Sequence, residues 1–152
     1  MAIKRSDIPR RFFTETEQQA IVAAIEQAER RTSGEIRIFL ERDVKGSGGD
    51  PYARARDVFA KLDMHRTAER NGVLVYLAVR SRRFAIVGDE ELHRLVGEDF
   101  WTDVRDLIKV NFSEGRFPEG LVAGIAALGE GLGRHFPPMD DDINELPDDI
   151  AY

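Results

Sequence analysis

The chain has 152 residues, 42% hydrophobic and 33% charged, long enough for one soluble domain that buries roughly 70% of its unfolded surface. It holds no Cys, which excludes disulfides, thiolate metal sites and a Cys nucleophile and is compatible with a reducing compartment. Six acids between Pro137 and Tyr152 carry the whole net charge of −6, leaving 22 acids against 22 bases elsewhere, a balance that does not suit a nucleic-acid partner.

The first residues, Met1 to Asp7, are charged and lack the apolar centre of a secretion signal, and no run of about 18 apolar residues follows. A cytoplasmic protein without membrane insertion is expected. Residues 1–13 read as an N-terminal arm, 14–136 as the folded domain and 137–152 as an acidic, solvated tail whose Ile143, Leu146 and Ile150 offer docking points.

Thr14 with Glu17 three residues on forms a capping box, and Ile21, Ile25 and Ala28 continue a helical stripe that should end near Ser33-Gly34. Ile36, Ile38 and Leu40 then alternate with Glu35, Arg37 and Glu41 as in a first strand. A flexible Lys45-to-Gly49 loop precedes Asp50-Pro51, an N-cap followed by proline at the first helical position, with Tyr52, Val58, Phe59 and Leu62 on one face.

Val73 to Val79 is nearly continuous apolar, as a strand buried on both faces should be, and Phe84 to Val87 follows after Arg80-Ser81-Arg82-Arg83. The pair reads as a β-hairpin. Asp89 opens a short helix that Gly97 ends, and a longer helix carries Trp101, Val104, Ile108 and Phe112 on one stripe. The last helix, from about Pro118 to Arg134, contains Gly120, Gly124 and Gly131, which implies close backbone packing.

The strand–helix–strand order makes the first two strands parallel, and the hairpin adds the third antiparallel. The expected fold is α/β: a three-layer α/β/α sandwich with a small mixed β-sheet. Its polar corners, Gly34-Glu35, Asn71-Gly72 and Gly88-Asp89, should all lie at one end of the sheet.

Three segments together, Thr32 to Ile38, Arg70 to Leu77 and Phe84 to Asp89, resemble the TPM domain family, named for thylakoid lumen, photosystem II repair and neuronal proteins. Phe100-Trp101 through Phe112, Gly115-Arg116-Phe117, Glu119-Gly120-Leu121, Phe136-Pro137-Pro138 and Asn144 to Asp148 are similar to a soluble bacterial branch of it. The resemblance implies an α/β/α fold and, in some members, a divalent-cation site at loops of the sheet end. It also implies weak acid phosphatase activity in a plant branch and, for bacterial relatives, a setting near LemA-type membrane proteins. Where many members have an Asp-rich segment before the first helix, this chain has Pro9-Arg10-Arg11-Phe12-Phe13.

Candidate ligands for Ca2+ or Mg2+ are therefore Asp89, Asn71 and Glu35, hard oxygen donors at neighbouring corners. Each also has a structural reading: Asp89 as an N-cap, Asn71-Gly72 as a turn, Glu35 as a solvent-facing residue. Asp140, Asp142 and Asn144 match the start of an EF-hand loop, but Glu145 and Ala151 stand where that loop needs Gly and Glu.

His65, His93 and His135 lack zinc-site spacing, and Gly129, Gly131 and Gly133 lie in a helix rather than after a strand. Arg37, Arg70 and Arg94 are candidate phosphoryl-stabilising cations. With no nucleophile or base standing out, a non-catalytic accessory module working through a protein partner is expected. A weak metal-dependent acid phosphatase is the alternative.

Overall fold

In the computed structural model, which describes residues 4–138 and 146–152, the apolar run after Gly72 forms the centre of a three-stranded sheet. β1 (Glu35–Glu41), β2 (Gly72–Ala78) and β3 (Arg83–Gly88) lie in that order. β1 and β2 are parallel with Glu35 opposite Gly72, and β3 returns antiparallel with Gly88 opposite Val73. Every β2 residue is buried, which is why the sequence there shows a continuous apolar run rather than alternation.

Among the described residues six α-helices accompany the sheet: α1 (Pro9–Phe12), α2 (Glu15–Glu29), α3 (Pro51–Lys61), α4 (Glu90–Val96), α5 (Glu98–Ser113) and α6 (Phe117–Gly133). The capping box at α2 is complete: Glu17 N donates to the Thr14 hydroxyl at 3.1 Å, and Thr14 N donates to the Glu17 carboxylate at 3.0 Å. Asp50 caps α3 by accepting from Tyr52 N at 3.0 Å.

Alternate strand residues enter different cores, and this makes three layers. Ile36, Ile38, Val73, Val75 and Leu77 share one core with Ile21 and Ile25 of α2, Val104 and Ile108 of α5, and Ile125 and Leu128 of α6. Phe39, Leu74, Tyr76, Ala85 and Val87 join Ala55, Val58 and Phe59 of α3 on the other side. The glycines of α6 serve the first core. A Cβ on Gly129 would stand 2.8 Å from Ala28 Cβ and 2.9 Å from Ala28 Cα, so α2 and α6 touch backbone to backbone.

Both chain ends differ from the expectation. The arm is part of the body: Phe12 and Phe13 are each 2% exposed in the main core, and Arg5 grips Glu17 at 2.7 and 2.9 Å. A four-residue helix such as α1 is too short to show a hydrophobic period, so only its aromatic pair hinted at burial. The end of the tail is not solvated. Ile150 is 7% exposed in the main core, and Ala151 pairs in parallel with Phe39 through two backbone hydrogen bonds of 2.9 Å, to Leu40 N and Ile38 O. The cause is the edge of β1, whose open N–H and C=O groups accept an added strand. The EF-hand-like residues Asp140, Asp142 and Asn144, and Ile143 with them, lie outside the described residues.

Candidate functional site

The three corners meet at one end of the sheet. The Asn71 carbonyl accepts from Glu35 N at 3.3 Å and the Gly72 carbonyl from Asp89 N at 2.9 Å, so the Asn71-Gly72 corner ties the other two together. Glu35, Asn71 and Asp89 are 3%, 1% and 3% exposed. Burying polar side chains costs free energy unless each finds a partner.

Asp89 finds two. Its Oδ1 caps α4 by accepting from Glu90 N at 2.7 Å, and Arg70 forks onto the carboxylate through Nε at 2.9 Å and Nη2 at 3.0 Å. Arg70 holds a left-handed backbone, φ +53°, and its side chain is half exposed. The hydrogen bonds that Arg70 donates to Asp89, and the carboxylate charge, raise the Arg70 guanidinium above its ordinary value.

Asn71 is satisfied on one side only. Its Nδ2 donates to Ser33 Oγ at 3.4 Å, and Ser33 Oγ in turn donates to Glu69 at 3.2 Å, while the buried Asn71 Oδ1 has no hydrogen-bond partner among the described residues. Glu35, expected to face solvent if structural, is instead buried beside another carboxyl. Glu29 hydrogen-bonds Glu35 and Asp148, and its Oε2 accepts from Ile36 N at 3.1 Å. Burial, then the hydrogen bonds with Asp148 and Glu35, push the Glu29 carboxyl up to about 11, so it carries a proton at neutral pH.

The backbone corners thus converge while the side chains enter separate networks: Asp89 with Arg70, Asn71 with Ser33 and Glu69, Glu35 with Glu29. Among the described residues no three His, Cys, Asp or Glu side chains form a ready-made metal cage. The donor chemistry nevertheless fits a hard cation, because all three candidates offer oxygen and Asn71 Oδ1 has no hydrogen bond. The Asp89 carboxylate is already held by Arg70 and Glu90 N.

A groove of about 440 Å³ opens beside Asp89, with Arg56, His65, Arg70 and His93 in its walls. Arg56 and His65 carry no motif that marks them in the sequence. His93 stacks on Trp101 at 5.5 Å and lies 2.9 Å from Glu98, and Arg94 pairs with Glu91 on the exposed face of α4. Of the arginines considered from sequence, Arg70 is the one that reaches Asp89.

The far end of β1 is built differently. Glu41, 6% exposed, accepts from Arg54 Nε at 2.9 Å and Nη2 at 3.1 Å and takes a short hydrogen bond from the Tyr76 hydroxyl. Burial alone would raise the Glu41 carboxyl, but the bonds from Arg54 and Tyr76 outweigh it and hold the group below its ordinary value. Burial and the bond to Glu41 push the Tyr76 phenol above its usual range.

A three-layer sandwich with a small mixed sheet and buried polar corners at one sheet end defines a class of small α/β domains. The TPM domain family matches residues 8–131, and the chain belongs to that family. Among solved structures it is similar to the NMR structure of the BA42 protein from the psychrophilic bacterium Bizionia argentinensis. The two share 46% identity over 92% of this chain and 94% of that one, with a TM-score of 0.84. The N-terminal domain of the cg2496 protein from Corynebacterium glutamicum has the same fold at 15% identity, over 92% of this chain and 80% of that one, with a TM-score of 0.55. No curated protein matches. No helix among the described residues is long and apolar enough to cross a membrane.

Proposed function

We propose that this domain is a non-catalytic accessory module that binds Ca2+ or Mg2+ at the polar end of its sheet and acts through a protein partner. The observation that carries the cation reading is the buried Asn71 Oδ1, an oxygen with no hydrogen bond beside the Glu35 and Asp89 corners. Asn71, Asp89 and Glu35 would hold the ion, with Asp89 supplying charge after Arg70 lets go. The non-catalytic reading rests on Asp89 itself: the carboxylate best placed to act as a base or nucleophile already caps α4 and binds Arg70. The proposed setting is the cytoplasm, next to membrane-associated partners of the LemA type.

Calorimetric titration of the intact chain with CaCl2 and with MgCl2, beside Asp89→Asn, tests the site. Asn keeps the helix cap and loses the charge. Saturable binding with a Kd of about 10⁻⁴ M or weaker, reduced at least about tenfold by Asp89→Asn, is expected for so few ligands. Equal binding in both proteins, or none in either, contradicts the site.

One observation favours a second reading, a weak metal-dependent acid phosphatase: Arg56, Arg70 and His65 line the groove that contains Asp89. Cations there suit phosphoryl oxygens, and His65 suits a proton donor. Turnover of a phosphate ester that needs added metal and is lost in both Asp89→Asn and His65→Gln would replace the non-catalytic reading. Turnover indifferent to both substitutions removes this enzyme site.

A further inference from the structure

At the end of the sheet away from Asp89, a cavity of about 1090 Å³ opens between the β2–β3 turn, the α5–α6 turn and Arg5. Aromatic rings line it: Phe84 meets Phe112 edge-on at 5.3 Å, and Phe112 meets Phe117 at 4.9 Å. Five cations also line it against three carboxylates. Two of those carboxylates have partners already, since Arg5 holds Glu17 at 2.7 Å and Arg116 lies 3.8 Å from Glu114. Among the described residues, Arg82, Arg83 and Lys109 form no ion pair, which leaves Glu119 as their counterweight. The cavity therefore keeps a positive surplus on a chain whose net charge is −6.

Two local features strengthen that surplus. Arg82 sits in the hairpin turn with φ +57°, a left-handed conformation where Gly or Asn is favoured. Its guanidinium lies 4.9 Å from the Phe12 centroid and 4.7 Å from that of Phe117, so the aromatic rings hold a cation that forms no ion pair among the described residues. The α6 N-terminus at the cavity rim has no side-chain cap, and its dipole adds positive potential.

We propose that this cavity binds a small amphipathic anion. Its single carboxylate or phosphate head is held by Arg82, Arg83 and Lys109, and its flat apolar body lies against Phe84 and Phe112. The site is separate from the cation site at the Asp89 end and stands or falls independently of it.

Amide-resolved NMR titration of the full chain with phenyl phosphate, phenylacetate and inorganic phosphate tests this. Saturable shifts clustered at residues 82–84 and 109–117 are expected for the two aromatic anions, with inorganic phosphate at least about tenfold weaker because it lacks the body that covers the rings. The tighter aromatic ligand identifies the head. Arg82→Gln combined with Lys109→Gln should weaken binding at least about tenfold, and Arg82→Lys should retain most of it. If the double variant does not fold, Arg82→Gly, which suits the left-handed turn, should keep the fold and lose affinity. Shifts scattered over arginines and lysines across the surface, unchanged affinity in the variants, or inorganic phosphate binding as tightly as phenyl phosphate would each overturn the proposal.

Discussion

β1 buries a glutamate at each end, and the protein treats the two in opposite ways. Glu41 faces Arg54 and Tyr76, which satisfy both oxygens and keep it ionised. Glu35 faces Glu29, a second carboxyl, and Asn71 nearby has an oxygen with no hydrogen bond. Burial is the same at 6% and 3% exposure, so burial does not decide the chemistry; the charge of the neighbour does. A carboxylate matched by arginine locks α3 to the sheet, whereas at the other end two carboxyls face each other near an amide oxygen with no hydrogen-bond partner among the described residues.

The largest effect is expected at the closed end. Arg54→Ala strands the Glu41 charge and should lower stability by about 3 kcal/mol in denaturant unfolding at pH 7, the lower end of the range for a broken buried pair because Arg54 is 15% exposed. A loss below about 0.5 kcal/mol would show the pair to be screened like a surface one.

The two ends should also answer pH in opposite directions. Glu41 is lowered from 4.5 in the folded protein, so its contribution is present above that value and lost as pH falls through the folded one. Glu29 is raised from 4.5 to about 11, so the folded state binds the extra proton and stability declines as pH climbs between those values. The unfolding midpoint should therefore drop from pH 6 to pH 9. Glu29→Gln, which keeps a neutral hydrogen-bonding partner, should flatten that slope and add about 1 to 2 kcal/mol at pH 9. A slope left unchanged by Glu29→Gln would mean that other groups set the alkaline limb.

The smallest stability effect and the clearest functional one belong to Arg70. Its side chain is half exposed, and Gln can still donate to buried Asp89, whose helix cap from Glu90 N stays, so Arg70→Gln should lower the unfolding midpoint less than Arg54→Ala does. By releasing Asp89 it should raise Ca2+ affinity severalfold in calorimetry. Weaker binding in Arg70→Gln would mean that the arginine positions Asp89 for the ion rather than competing with it.

What could be read from the sequence was what neighbouring residues encode. The Thr14–Glu17 box, Asp50-Pro51, Asp89 before its helix and the apolar run of β2 act within a few residues, and the sheet corners follow from their order. The α6 glycines signalled close packing, though not that Ala28 of α2 was the neighbour for Gly129. What could not be read joins distant segments. Asp148 meets Glu29 across most of the chain, Ala151 pairs with Phe39 because β1 has an open edge, and Glu41, Arg54 and Tyr76 come from three elements. Each is a partnership between residues whose local patterns are ordinary. The same holds for Asp89, whose cap was legible and whose hold by Arg70 was visible only in three dimensions.

Amide-resolved NMR titration of the metal-free protein with Ca2+, run in parallel on Asp89→Asn, tests the cation site most directly. Saturable shifts clustered at residues 33–35, 70–72 and 88–91, lost in Asp89→Asn, are predicted. Shifts confined to residues 140–149 that never saturate, or a sheet-end response that survives Asp89→Asn, would contradict it.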